Sequence, residues 1–166
     1  MKHQTHHISA YLKKIKASNK ELTKKEHFKD LLHHLYHGEK EIESIIDAIS
    51  AGSEKTILNI PRHNKKHRGS ADTLYNNIII EFENELKVTF KHAKEQLAGY
   101  MLGQFKSGEG YNFTLIASDF INWKVVTPDV NQLDKLDTLQ EHELILNEVT
   151  SASFTLTENN AEDFYY

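Results

Sequence analysis

Apolar residues recur at helical spacing through the first third of the chain. Residues 5 to 16 carry the first set, residues 28 to 36 the second, and residues 39 to 49 the third. Three amphipathic helices are therefore predicted. Thr23, followed three residues later by Glu26, predicts a capping box at the start of the second helix.

The middle of the chain changes to patterns typical of strands. A short β-prone run covers residues 56 to 60, and a longer one covers residues 71 to 83. The basic stretch from Pro61 to Arg68 lies between them and is predicted to be a loop. Within the longer run, Asn76 and Asn77 separate two β-prone halves. Asparagine tolerates a positive φ, so these two residues predict a tight hairpin turn.

The second half returns to a helix and then to strands. Thr89 to Phe105 carries a helical stripe, and Tyr111 to Ala117 and Ile121 to Val126 predict two further strands. An acidic stretch follows from Asp129, with a short helix predicted near Glu141. This order of elements predicts an α/β fold in which a mixed central β-sheet is flanked by helices.

The predicted hairpin brings two carboxylates together. With a two-residue turn, Asp72 stands opposite Glu81, and directly opposed Cβ atoms lie about 4.5–5.5 Å apart. Glu83 falls on the same face by strand alternation. Opposed like charges destabilise a sheet, so the repulsion needs relief. A divalent cation, a neighbouring lysine or arginine, and exposure to water each supply it.

Composition narrows the classes of protein that this chain can be. Its 166 residues fit one domain. It has no cysteine, which excludes thiolate zinc sites and disulfides. No apolar run reaches the length of a membrane span, and the polar, histidine-rich start does not resemble a signal peptide. A soluble, cytoplasmic protein without a membrane partner is expected.

The net charge of −4 gives no overall basic signature, but positive charge is concentrated in one stretch. This stretch just precedes the carboxylate pair, so its cations are placed to neutralise nucleic-acid phosphates. A solvated charged loop is the alternative interpretation. The candidate DNA-binding residues are Arg62, Lys65, Lys66 and Arg68.

Three short motifs occur here in order. Gly69 and Asp72 form a GxxD element, Glu81 begins a (D/E)xK-like element, and Gln96 and Tyr100 form a QxxxY element. Together they resemble the RecB-like branch of the PD-(D/E)xK nuclease superfamily. The resemblance implies a restriction-endonuclease-like fold and metal-dependent hydrolysis of phosphodiester bonds.

The same resemblance implies roles for individual residues. Asp72 and Glu81 would hold Mg²⁺, with Mn²⁺ as a substitute. Glu26 would be an additional acidic ligand, unless it serves only the capping box. Gln96 and Tyr100 would contact the metal site or the substrate, or else belong to an ordinary packed helix face.

One position departs from the superfamily pattern, because Glu83 stands where the motif has lysine. Glu83 itself could act as a base or bind a second metal ion. Alternatively, a lysine could reach the site from elsewhere. Lys87 is the first candidate by strand parity, followed by Lys91 and Lys94 at the start of the next helix.

A longer stretch, from Gly69 to about Pro128, resembles the N-terminal nuclease region of bacterial restriction-modification polypeptides that also carry an adenine-specific DNA methyltransferase. A type II or type I-like restriction endonuclease domain is implied. The implied partners are double-stranded DNA, methyltransferase and specificity regions on the same polypeptide, and a second copy in a homodimer. We expect one domain over residues 1–166, cut from a longer protein, with helices in 1–52, a catalytic core in about 54–128 and an acidic extension in 129–166.

Two other classes compete with the nuclease. One is a DNA-binding or regulatory module that keeps the fold without cleavage. The other is a small-molecule or protein interaction domain in which the carboxylates are structural. Among the eleven histidines, His33 and His37 have the i, i+4 spacing of a two-histidine metal site without an accompanying motif. His63, His67 and His92 flank the predicted site and could contact phosphate.

Overall fold

The first third of the chain forms three helices, as predicted. The computed structural model describes residues 2–49 and 54–165. Helix α1 spans Lys2–Ala17, α2 spans Glu21–Leu35 and α3 spans Lys40–Ile49. The apolar stripes of α1 and α2 are buried, which confirms that their spacing reports one packed face per helix.

The predicted capping box at the start of α2 is wrong. The helix already begins at Glu21, its N-cap is Lys20, and no side chain caps it. Thr23 and Glu26 therefore lie inside the helix. The amide of Lys24 donates to the carbonyl of Lys20 over 3.1 Å, so the helical bonds begin upstream of the expected cap. The ammonium of Lys24 also donates to the carbonyl of Asn84, which ties the first turn of α2 to the loop after β4.

Two β-hairpins follow in succession. The first consists of β1 (Lys55–Arg62) and β2 (Lys65–Ala71), and the second of β3 (Thr73–Tyr75) and β4 (Ile78–Phe82). The run at 56–60 is thus a strand, as predicted.

The basic stretch predicted to be a loop is instead the end of the first hairpin. Arg62 pairs with Lys65 across the turn. The turn residues His63 and Asn64 have φ angles of 50° and 58°. Two consecutive left-handed residues are the signature of a type I′ hairpin turn, but a histidine there gives a weaker sequence signal than Asn-Gly.

The second hairpin has the predicted register. Thr73 pairs with Ile80, and Tyr75 pairs with Ile78 across the turn. Asn76 has a φ of 52°, a conformation that asparagine adopts more readily than most residues. The turn chemistry and the alternation of apolar positions therefore specified this pairing correctly.

The second half contains one long helix and four short strands. The elements are α4 (Leu86–Lys106), β5 (Thr114–Ser118), β6 (Asn122–Pro128), β7 (Leu146–Glu148), β8 (Phe154–Thr155) and α5 (Ala161–Tyr165). Short 3₁₀ helices cover Val130–Lys135 and Glu158–Asn160. The helix predicted near Glu141 is wrong, since that residue lies in a turn. Its amide donates to the carbonyl of Pro61 over 2.8 Å, so this segment follows the first hairpin instead of coiling on itself.

The central sheet is mixed, as predicted. Its strands lie in the order β3-β4-β5-β6-β7, with β8 also pairing with β6. The pair β4–β5 is parallel and the other pairs are antiparallel. Helix α4 connects the two parallel strands and covers one face, while the three N-terminal helices cover the other. The predicted α/β class, with a mixed sheet flanked by helices, is confirmed.

The segment after Asp129 belongs to both cores. Leu136, Leu144 and Leu146 are buried on the α4 side of the sheet. Leu156 is buried on the side of the N-terminal helices. The stretch predicted as an acidic extension therefore completes the packing of the central sheet.

The first hairpin crosses α4 at two glycines. A Cβ atom on Gly103 would lie 2.6 Å from the carbonyl oxygen of Leu58, and one on Gly99 would lie 3.2 Å from Cγ2 of Ile60. The absence of side chains there lets backbone approach backbone. This contact fixes the hairpin on the helix that also covers the central sheet.

Across residues 2–49 and 54–165, no helix combines the length and the apolar character that crossing a membrane requires.

Candidate active site

The two predicted carboxylates meet where the second hairpin opens. The ladder between β3 and β4 stops at Thr73 and Ile80, one position before Asp72 and Glu81. Asp72 does not continue the ladder with its backbone. Its Oδ2 instead accepts a hydrogen bond of 2.8 Å from the amide of Phe82. The Asp72 side chain thus accepts a hydrogen bond that the backbone of a paired strand would otherwise accept, and this bond holds it beside Glu81.

Glu81 is the most constrained carboxyl group of the site. It is 7% exposed and points to the same face of β4 as the buried Ile79. Its Oε2 is buried and has no hydrogen-bond partner among the described residues. Burial, followed by the neighbouring charges of Asp72 and Glu83, raises the pKa of Glu81 to about 9. A buried, unpartnered carboxylate oxygen is costly unless a cation or a proton satisfies it.

Helix α2 brings a lysine into this site. The Nζ atom of Lys25 forms an ion pair with Oδ1 of Asp72, and it also lies 2.8 Å from Oε1 of Glu21. Burial opposes the charged form of Lys25, but its bonds to Asp72 and Glu21 outweigh burial, so its pKa is raised. Its ammonium also lies 5.9 Å from the ring centroid of Phe82.

Glu83 lies at the edge of the same cluster. Burial raises its pKa, with smaller contributions from Glu21 and Asp72. The hydroxyl of Thr89 and the ring of His92, both on α4, act in the opposite direction. The position that lacks the motif lysine therefore holds a carboxyl group close to other carboxylates.

Gln96 and Tyr100 approach the cluster from α4. The hydroxyl of Tyr100 donates to the carbonyl of Ser70 over 2.8 Å, and Nε2 of Gln96 donates to that hydroxyl over 3.4 Å. Burial, and then the adjacent Glu81, raise the pKa of the Tyr100 phenol. Tyr100 thus ties the end of β2 to the helix next to the carboxylates.

One predicted metal ligand, Glu26, is not brought to this site. Glu26 is exposed on α2. The acidic residue of α2 that lies at the site is Glu21, which pairs with Lys25. The reason is helical geometry. Residues 21, 25 and 28 share one face at i, i+4 and i+7, whereas residue 26 is turned about 100° from residue 25. The Glu21–Lys25 spacing in line with the buried Phe28 was the signal that sequence reasoning missed.

The lysines considered as substitutes lie on another face of α4. Lys87 is exposed and lines a cavity of about 430 Å³ with Phe90 and Lys124. Lys94 donates to the carbonyl of Leu146 over 3.3 Å. Lys91 lies 3.9 Å from Glu95. None of these three ammonium groups contacts the clustered carboxylates, and Lys25 does so instead.

The first hairpin carries the predicted phosphate-binding cations. Arg62 is paired with Glu141, with one guanidinium–carboxylate bond of 3.0 Å. Lys65, Lys66 and Arg68 are exposed and form no ion pair with any residue in the described ranges. By strand alternation, Lys66 and Arg68 share a face of β2.

The chemistry of the site suits a hard divalent cation. Its donors are carboxylate oxygens, and Mg²⁺ prefers one or two of these together with water and phosphate oxygens. The unpartnered Oε2 of Glu81 supplies an open acceptor. Within residues 2–49 and 54–165, no group of three or more histidine, aspartate or glutamate side chains is arranged to hold a metal on its own. A cation here would therefore rely on ligands from water or substrate.

The two histidines at i, i+4 spacing lie away from this site, His33 in the last turn of α2 and His37 in the turn beyond its end. His33 and His37, with His7 and His34, line a cavity of about 440 Å³ between α1 and α2. Nε2 of His33 lies 3.6 Å from Asp47. The part of the chain that the structure describes holds no three-ligand metal group there either.

Comparison of the chain with protein-family models, with curated proteins and with solved structures gave no match. The functional assignment therefore rests on the side chains and their surroundings.

Proposed function

We propose that this protein is a metal-dependent DNA endonuclease domain of the PD-(D/E)xK type, acting within a restriction-modification system. One observation carries the proposal. The carboxyl groups of Asp72 and Glu83 lie close enough to Glu81 to raise its pKa, Lys25 pairs with Asp72, and one buried oxygen of Glu81 has no hydrogen-bond partner in the part of the chain that the structure describes. Such a cluster is destabilising by itself, and perturbed carboxyl groups of this kind are concentrated at functional sites.

The arrangement of elements supports a restriction-endonuclease-like fold. A hairpin separates the GxxD residues from Glu81, and α4 carries Gln96 and Tyr100. Strand β5 then returns parallel to β4. This order agrees with what the motif resemblance implies.

Asp72 and Glu81 would hold Mg²⁺ or Mn²⁺, which when bound lowers the pKa of a water molecule and stabilises negative charge on the scissile phosphate. The side chains prepare the site for this. The amide of Phe82 orients Asp72. Glu83, whose pKa is raised, can accept a proton from a water molecule. Tyr100 holds the carbonyl of Ser70 and so fixes the strand that leads to Asp72.

Double-stranded DNA is the proposed substrate. The exposed ammonium and guanidinium groups of Lys65, Lys66 and Arg68 lie on the strand leading directly to Asp72, so phosphates neutralised there approach the carboxylates. Methyltransferase and specificity regions on the same polypeptide, and pairing of two copies, are the proposed context for cleavage.

Plasmid cleavage with Mg²⁺ or Mn²⁺ tests the proposal. We expect the wild-type protein to cut, and we expect Asp72→Ala and Glu81→Ala each to lose roughly a hundredfold or more in rate, a usual effect of removing one group that stabilises the transition state. Glu26→Ala is the matched control, because it removes an exposed carboxylate of α2 outside the cluster. Equal rates for all three variants, or cutting that persists in EDTA, would contradict the assignment.

A second candidate is a DNA-binding or regulatory module that does not cut. The ion pair between Lys25 and Asp72 favours it, because both oxygens of that carboxylate are already engaged. The two functions differ in what they predict when wild type is compared with Asp72→Ala, because only a nuclease cuts as wild type and loses that cutting in the variant. A module without cleavage binds DNA equally well before and after the substitution and cuts in neither case.

A further inference from the structure

We infer that Lys25 is the resident counter-ion of the site and that a divalent cation has to compete with its ammonium for Asp72. The acidic cluster is defined as Glu21, Asp72, Glu81 and Glu83. This inference deepens the proposed function and rests on it for the identity of the cation. It assigns a role to a residue that lies on α2, far in sequence from the hairpin that carries the motif carboxylates.

The contacts show that Lys25 is built into the site. Its side chain is 12% exposed, and that of Asp72 is 13% exposed. The neighbouring Lys24 donates to the carbonyl of Asn84, which anchors α2 against the loop between β4 and α4. Lys25 is thereby positioned by packing, and its ammonium is the only lysine group among the described residues that contacts these carboxylates.

The ammonium of Lys25 matters because the carboxyl groups of the acidic cluster outnumber the cations beside them. Lys25 contacts Glu21 and Asp72 and acts on Glu81 through its charge, whereas His92 is the cation that acts on Glu83. A buried Glu81 beside a second carboxylate is tolerated only where positive charge or a proton compensates it. Lys25 supplies that charge at Asp72, so removing it leaves a more negative site. A more negative site attracts divalent cations more strongly.

Lys25 also has a second partner, which it can keep when a divalent cation binds Asp72. Glu21 lies one turn earlier on the same helix, at the favourable i, i+4 spacing with glutamate first. The ammonium can therefore leave Asp72 without becoming unpaired. It then remains beside Asp72, held by Glu21.

Mn²⁺ binding tests this competition. We expect Lys25→Gln, measured by calorimetry at constant pH, to bind Mn²⁺ on the order of tenfold more tightly than wild type, as loss of a partly screened competing charge predicts. Lys29→Gln is the matched control, since Lys29 follows on the same helix and pairs with Asp47 outside the cluster. Lys25→Arg keeps the charge and is expected to bind Mn²⁺ as wild type does.

Affinity unchanged or weakened in a folded Lys25→Gln protein would overturn the inference. If that variant does not fold, Lys25→Arg decides, because tighter binding with the charge retained contradicts competition by charge. Adding Asp72→Asn to Lys25→Gln should abolish the gain in affinity, and a gain that survives would place the competition elsewhere.

Cleavage by the same proteins separates this inference from the proposed function. A wild-type protein that does not cut, together with a Lys25→Gln variant that binds Mn²⁺ more tightly, contradicts the nuclease and supports the counter-ion. A wild-type protein that cuts, together with unchanged Mn²⁺ affinity in Lys25→Gln, supports the nuclease and contradicts the counter-ion.

Discussion

At the scale of single residues, Glu81 lowers the stability of its own fold. It occupies a buried position on a central strand where an apolar residue would pack without cost. Burial and the adjacent Asp72 disfavour its charged form. In the absence of a metal ion, the folded protein therefore holds a proton on Glu81 that the unfolded chain releases.

This difference predicts a pH-dependent stability. The native pKa of Glu81 is about 9, against an ordinary value of 4.5. Its contribution to the free energy of unfolding is fully present below the ordinary value and is lost as pH rises through 9, by up to about 1.4 kcal/mol per pH unit. The stability of Glu81→Gln relative to wild type should therefore rise between pH 5 and pH 8, by up to about 4 kcal/mol.

Thermal unfolding in EDTA at both pH values measures this effect. Glu26→Gln serves as the control, because Glu26 is exposed and outside the cluster. If the difference between Glu81→Gln and wild type were the same at both pH values, Glu81 would not be the group responsible.

At the scale of elements, α4 and the first hairpin can pack closely because glycines stand on the helix where the two elements cross. We expect Gly103→Ala to lower the free energy of unfolding by about 1–3 kcal/mol, because the added methyl would lie 2.6 Å from the carbonyl oxygen of Leu58. The helix propensity of alanine offsets part of this loss, by up to about 1 kcal/mol.

Urea denaturation compares this variant with Val88→Ala. Val88 is 74% exposed on the same helix, so its substitution is expected to change stability by no more than about 0.5 kcal/mol. A Gly103→Ala protein as stable as wild type would show that the backbones do not approach this closely.

The elements also show which parts of the fold were accessible from sequence. The second hairpin was predicted residue by residue, because its asparagine turn and its alternating apolar residues both encode the register locally. The start of α2 was not, because the first turn of α2 makes a tertiary contact, from Lys24 to Asn84, that no local pattern encodes. Lys25 was missed for a related reason. Its partner Asp72 is 47 residues away, and only tertiary packing brings the two together.

At the scale of the whole molecule, charge is segregated although the net charge is only −4. The first hairpin exposes unpaired cations, whereas the site beside it gathers carboxylates. In the proposed function, a nucleic acid bound by these cations would be presented to the carboxylates. The composition alone did not reveal this, since the same charges scattered over the surface would give the same total.

The hairpin cations can be tested by charge reversal. Lys66→Glu combined with Arg68→Glu should weaken binding of duplex DNA and reduce the slope of log K against log salt by about 2, as loss of two phosphate contacts predicts. Lys13→Glu combined with Lys16→Glu makes the same change of charge on exposed positions of α1. Fluorescence anisotropy with labelled duplex in EDTA measures both proteins, and equal losses for the two would mean that only total charge matters.

The chain passes from the first hairpin into the central sheet across a single residue, Asp72, which separates β2 from β3. The backbone of that residue is therefore the whole link between the strand that exposes Lys65, Lys66 and Arg68 and the strand that pairs with β4. The bond from Tyr100 to the carbonyl of Ser70, two residues before Asp72, and the glycine contacts with α4 hold this link in place. The spacing between the exposed cations and the Asp72 carboxylate is thus set by the backbone.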